Sequence, residues 1–216
     1  GHPPDVNNPI NFSNQFTIAT WVKPYSLDDP YDFKVIASQW LNGYSYYFAI
    51  HNEGWLFFSQ GEPDGTLPEM GVGAYPGEIT IGLNEFYHIA MTYDHGMVTF
   101  YVNGESSESL TLPEGYTSIY NSWPPIQTLN IGMRYGGGST PMYQFDGIID
   151  NLSIWNRPLS AEEIQNTMFN IPNLNDENLA GYWPMSEGEG QFLNDLSQKN
   201  RGARLQHKNN IVKQIN

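Results

Sequence analysis

Apolar and polar positions alternate with period two along most of the chain, the pattern of strands that bury one face. Phe16 to Val22 reads as the first such run, and Val35 to Gln39 as a short second one. Between Tyr46 and His51 the alternation puts Tyr46, Phe48 and Ile50 on one face and Tyr47, Ala49 and His51 on the other. Asn52-Glu53-Gly54 then turns the chain back into Trp55 to Gln60. The densest segment is Phe86 to Asp94, with Tyr87, Ile89, Met91 and Tyr93 on one face. It is followed by a His95-Gly96 turn, the run Met97 to Val102 and Asn103-Gly104, a pair suited to the positive φ of a type I′ hairpin turn. Strands resume at Leu129 to Met133, Phe145 to Trp155, Leu179 to Met185 and Ala203 to Leu205. The stretches Ser26 to Asp32, Gly61 to Gly77 and Ser186 to Gly202 read as loops.

One segment breaks the period. Ser160-Ala161-Glu162-Glu163 is a capping box ahead of Ile164 and Met168, which predicts one short helix near residues 160–168 that ends before Pro172. About a dozen short strands and a single helix predict an all-β, two-sheet antiparallel sandwich. The 216 residues suffice for one core, so a single domain over residues 3–216 is expected, with 179–206 completing the sandwich. Gly1-His2 reads as a tag remnant, and the domain as a piece of a larger protein.

Charge narrows the partners. With 23 acidic against 9 basic residues the net charge is −14, which argues against nucleic acid, anionic membranes and polyanionic polysaccharides. The longest obvious apolar stretch is Trp55-Leu56-Phe57-Phe58, so membrane insertion is not expected.

The order of particular strands adds more. Phe16 to Pro24, Tyr87 to Asp94, Tyr101-Val102-Asn103-Gly104, Ile131-Gly132, Phe145 to Asn151 and Ile154-Trp155-Asn156-Arg157-Pro158-Leu159-Ser160 through Ile164 together resemble the laminin-G-like, concanavalin A-like jelly roll. Gly181-Tyr182-Trp183, Glu187-Gly188 and Asp195-Leu196-Ser197 resemble an element that usually opens such domains and here comes last. The resemblance implies a jelly-roll β-sandwich, frequently a carbohydrate-binding or adhesive module of secreted enzymes and surface proteins, often with calcium. It also implies that Asp150 matches an acidic position that helps hold such an ion, with Asp195 as its partner. The alternative for Asp150 is that it caps backbone amides at a strand bend. Asp28, Asp29 and Asp32 form a weaker second candidate.

Catalytic sets are not found. Hydrolases of this type carry Glu-x-Asp-x-x-Glu on a strand, and the nearest segment, Asp146 to Asp150, has two Asp and no Glu. The histidines are isolated, and His88, within a strand, reads as packed.

Sugars stack their C–H faces on exposed aromatic rings. Trp21, Trp55, Trp155 and Trp183 fall in strand patterns and are assigned to packing. Trp40, Tyr44 and Trp123 lie between strands, and Arg134-Tyr135 stands beside a glycine turn, so Trp40, Tyr44, Trp123, Arg134 and Tyr135 form the expected ligand set. Arg134 has a second reading, a salt bridge or cation–π contact that ties the loop down. Should the ligand lie on the concave sheet face instead, Tyr47, His51 or His88 would take part. The expectation is a non-catalytic carbohydrate-binding module, extracellular or on the cell surface of a bacterium, that binds a neutral polysaccharide or surface glycan with structural calcium. The alternatives are an adhesion or spacer domain and a polysaccharide-degrading enzyme.

Overall fold

Phe16, Ile18, Thr20 and Val22 point inward along the first strand because its side chains alternate across a pleat, and all four are buried. A computed structural model describes residues 10, 12, 14–28, 32–39, 45–61, 70–73, 80–119, 129–135, 141–187, 192–201 and 203–205; for 70–73, 135, 192, 204 and 205 it describes the backbone alone. The strands are β1 (Gln15–Ser26), β2 (Phe33–Ser38), β3 (Tyr46–His51), β4 (Leu56–Gln60), β5 (Met70–Gly73), β6 (Tyr87–Asp94), β7 (Met97–Val102) and β8 (Glu105–Ser106). They continue as β9 (Leu110–Thr111), β10 (Leu129–Ile131), β11 (Arg134–Tyr135), β12 (Pro141–Met142) and β13 (Asp146–Trp155). The helix α1 (Ala161–Thr167) precedes β14 (Leu179–Trp183), β15 (Phe192–Leu193) and β16 (Ala203–Leu205).

Two sheets face each other. The first has the order β14-β13-β1-β6-β7-β8, with β9 also on β7; the second has the order β15-β16-β10-β2-β3-β4-β5. Their inner faces form one core in which Phe16 stacks on Phe12 at 4.3 Å and on Tyr93 at 5.1 Å, while Phe48 meets Phe100 across the sandwich at 6.3 Å. The pairing is antiparallel apart from β10 with β16, which run parallel.

The helix and hairpins form where the local chemistry specifies them. Ser160 accepts the Glu163 amide at 3.2 Å and the Glu163 carboxylate takes the Ser160 amide at 2.8 Å, which completes the capping box. Arg157 grips the same carboxylate at 2.6 Å and 2.9 Å. Ala19 and Ala90 on the outer face of the first sheet leave room for Ile164 and Leu159 to pack there beside Tyr101, Trp155 and Tyr182. Asn103 and Gly104 both have positive φ, 51° and 82°, as a type I′ turn requires.

Three sequence readings are corrected. The span Gly61 to Gly77 contains β5, whose Met70-Gly71-Val72-Gly73 shows little alternation because every second position lacks a side chain. Ser186 to Gly202 contains β15, a two-residue strand too short to carry a period. Trp21 is not a core residue; it lies half-buried on the outer face of the first sheet, because the alternation that buries Thr20 and Val22 turns it outward.

Candidate functional site

The outer face of the second sheet is built from the alternate positions of β2, β3 and β4: Phe33 and Val35, Tyr47, Ala49 and His51, then Phe57. Val35 and Ala49 are small enough to lie flat, so the rings around them meet. Phe33 stacks on Phe57 with centroids 4.5 Å apart, and Phe57 reaches Tyr47 at 5.9 Å. Tyr143 arrives from the segment after β12, where its carbonyl accepts the Val35 amide at 2.8 Å, and its ring lies nearly parallel to that of Tyr47. The Arg134 guanidinium sits 4.7 Å from the Tyr47 centroid and 4.2 Å from that of Tyr143, a double cation–π arrangement. Phe33, Phe57 and Tyr143 remain half-exposed while Tyr47 and Arg134 are buried. The result is an aromatic platform with a cation set into it.

One edge of this platform is polar. His51 stacks on Trp55 at 4.0 Å, and its Nδ1 accepts the Glu53 amide at 3.2 Å, which places the ring proton on Nε2. Partial burial lowers the His51 pKa against the opposing pull of Glu53 and Asp32. Trp55 donates its indole N–H to Glu53 at 3.2 Å, and Asn52 donates to Asp32 at 2.7 Å. Carboxylates and an imidazole therefore rim the rings, as hydroxyl-bearing ligands require of a site.

The expected ligand residues meet this geometry unevenly. Arg134 stands in the platform, in the cation–π contact of its second reading. Trp40, Tyr44 and Trp123, together with the Tyr135 side chain, lie outside the described residues. Tyr47 and His51, expected only for a site on the concave sheet face, both stand on this outer face, whereas His88 is on the other sheet. Phe33, Phe57 and Tyr143 were not foreseen. Phe57 sits beside Phe58 in an unbroken apolar run, so its outward direction follows only from the register with β3.

The two expected calcium ligands stand on either side of Tyr182. Asp195 accepts the amides of Tyr182 (2.9 Å) and Ser197 (2.8 Å) on Oδ1, and the Ser197 hydroxyl (2.8 Å) and the Arg201 amide (2.8 Å) on Oδ2. Four donors fill the four acceptor positions of a carboxylate, so Asp195 braces a loop and does not fit as a cation ligand. Capping of amides at a bend, considered for Asp150, is thus the role of Asp195. Asp150 is fully buried on β13, takes the Asn151 amide group at 3.4 Å, and adds to the burial that raises the Tyr182 pKa to about 12. Among the described residues no three His, Asp or Glu side chains come together as a metal site. Asp28 is exposed, Asp32 bonds Asn52, and Asp29 lies outside the described residues.

Sequence comparison matches residues 4–165 to the model of the concanavalin A-like lectin/glucanases superfamily. The chain belongs to this superfamily. No curated protein matches its sequence. Solved structures of similar shape include that of a Bacteroides ovatus protein proposed to bind carbohydrate, with 19% identity and a TM-score of 0.66 over 90% of this chain. This chain spans 52% of that protein, about half its length. The CBM40 domain of a Ruminococcus gnavus sialidase, solved with α2,3-sialyllactose, has 19% identity and a TM-score of 0.58 over 72% of this chain and 83% of its own. Domain 4 of an extracellular arabinanase from Geobacillus stearothermophilus, solved with arabinotriose, has 20% identity and a TM-score of 0.52 over 76% of this chain and 69% of its own. At these identities the likeness establishes the two-sheet fold, in which this lectin-superfamily domain carries its aromatic platform on the second sheet.

Proposed function

We propose that this domain is a non-catalytic carbohydrate-binding module of a larger extracellular protein, and that a neutral polysaccharide or surface glycan lies across the platform of Phe33, Phe57 and Tyr143. The observation that carries this reading is the set of half-exposed rings on one sheet face, Phe33 stacked on Phe57 and Tyr143 over the Arg134 guanidinium, with Glu53, Asn52 and Asp32 at the rim. Flat rings take the C–H face of a sugar, and the rim groups read its hydroxyls. The superfamily and the sugars bound to the sialidase and arabinanase domains support a carbohydrate as the ligand. The sequence supports a binding role without catalysis, since its strands carry no Glu-x-Asp-x-x-Glu acid set. Calcium is not assigned to Asp195 in this reading, because its lone pairs are taken.

Electrophoresis through native gels containing neutral polysaccharides tests the proposal. The wild type is expected to be retarded by at least one polymer, and a Phe57→Ala/Tyr143→Ala variant of unchanged circular dichroism is expected to run freely. Free migration of the folded wild type through every polymer would overturn the reading in favour of a spacer or protein-adhesion domain.

A further inference from the structure

The first sheet carries a separate cavity on its own outer face, pointing away from the platform. Its volume is about 440 Å³, within the range of small-ligand pockets. The floor is Trp21, Ser153 and Tyr182, and the residues that follow α1 form its far wall. The wall is anchored by the Trp21 indole N–H, which donates to the Met168 carbonyl at 3.2 Å and so fixes the plane of the indole. Around the mouth, Phe169 and Ile171 are 78% and 71% exposed and Phe86 is 38% exposed, so three large apolar side chains are only partly covered or left in water.

A second feature of the same cavity is polar. β13 carries two residues, Asn151 and Leu152, opposite the single Thr20 of β1, a β-bulge between the Ala19 and Trp21 positions. The bulge puts Asn151 at φ 52°, a left-handed conformation that asparagine adopts more readily than other side chains, and it keeps Leu152 in the core while turning the Asn151 amide to the cavity. That amide is set at both ends: its Oδ1 accepts the Tyr182 hydroxyl at 2.7 Å and its Nδ2 donates to Asp150 at 3.4 Å. Each end keeps a further hydrogen-bonding position, one lone pair and one N–H. On the opposite wall the Thr167 hydroxyl donates to the Ile164 carbonyl at 2.7 Å and the Asn170 Nδ2 to Asn166 Oδ1 at 2.7 Å, so Asn170 offers its Oδ1 as an acceptor, and none of the lining side chains is charged.

We infer that this cavity is a second binding site, for a neutral pyranose ring seated on the Trp21 indole between Phe86 and Phe169, with its hydroxyls on Asn151 and Asn170. An amide pair facing an aromatic floor fits a ring that has one apolar face and an equator of hydroxyls. A purely aliphatic occupant would leave the spare lone pair and N–H of Asn151 unused, and an acidic sugar would meet no cation among the lining residues. The sugar class rests on the carbohydrate reading above. The two sites lie on opposite outer faces of a sandwich, so a single sugar ring at one does not touch the other.

The test is a titration of ¹⁵N-labelled protein with methyl glycosides of glucose, galactose, mannose and N-acetylglucosamine, followed at the Trp21 indole N–H. A glycoside is expected to shift that signal in the wild type and equally in Phe57→Ala. The affinity should fall about tenfold in Phe169→Ala, whose side chain is too exposed to matter for folding, and in Asn151→Gly, which keeps the backbone turn and removes the amide. Shifts confined to the Trp55 indole and the residues of the platform would overturn the second site and leave the first standing. No shift at either place would overturn both, and displacement of Trp21 only by an apolar peptide would overturn the sugar assignment.

Discussion

Oδ1 of Asp195 accepts the backbone amide of Tyr182 at 2.9 Å, so a carboxylate in the loop after β15 fixes the middle of β14. The same group holds Ser197 and Arg201. Asp195→Asn replaces an oxygen that accepts two donors with an amide that is itself a donor. The expected loss is about 3 kcal/mol of stability, the scale of hydrogen bonds to a charged group. Urea unfolding with calcium and with chelator should give the same loss, because the oxygens are engaged by protein donors; a loss appearing only with calcium present would return Asp195 to the metal.

His88 is expected to make the domain sensitive to acid. The ring is buried against the edge of Trp21, with Nε2 3.2 Å from the Thr167 hydroxyl, and burial lowers its pKa to about 4. The unfolded chain takes up this proton near pH 6.5, so between 6.5 and 4 the unfolded state binds more protons. Stability is therefore full above pH 6.5 and falls as the pH drops to 4, by about 3 kcal/mol from this residue. His88→Gln should flatten that part of the stability profile, and an unchanged slope would refute the assignment.

The helix start depends on Ser160. Ser160→Ala removes the acceptor of the Glu163 amide and is expected to cost about 1 kcal/mol. The Glu163 carboxylate, lowered to about 2 chiefly by Arg157, contributes above pH 4.5 and loses that contribution as the pH falls through 2. Its exposure keeps this term small. Thermal melts of Ser160→Ala and Glu163→Gln at neutral pH should both move down by a few degrees.

Gly147 begins the inner course of β13 at φ 155°, and a Cβ there would run into the Lys23 carbonyl. Gly147→Ala is expected to destabilise by about 2 kcal/mol, measured by urea unfolding, with no change in either ligand face.

Much of this was legible from short-range chemistry. The capping box at Ser160 and the hairpin at Asn103-Gly104 are specified by neighbours within four residues, and each forms where the sequence placed it. The platform was legible only in part, since Tyr47 and His51 follow from alternation in one strand, while Phe33 and Tyr143 join them through the register of other strands. The cavity was not legible at all. Its residues come from β1, β13, β14 and the segments around Phe86 and Phe169, and the bulge that turns Asn151 toward it leaves no mark on a period-two pattern. Trp21 was misread for the same reason: alternation tells which residues share a face, not which face is covered.

The late strands carry a consequence for synthesis. β14 pairs with β13 in one sheet, and β16 lies between β10 and β15 in the other. Until residue 183 has left the ribosome β13 presents an unpaired strand edge and the space later filled by the fully buried Trp183 stands open, and until residue 205 has left so does the edge of β10. The nascent chain thus spends its synthesis with two adhesive borders, and a shorter piece ending at residue 165, where the superfamily match ends, would keep them permanently. Such a piece is expected to aggregate rather than to fold as a minimal domain.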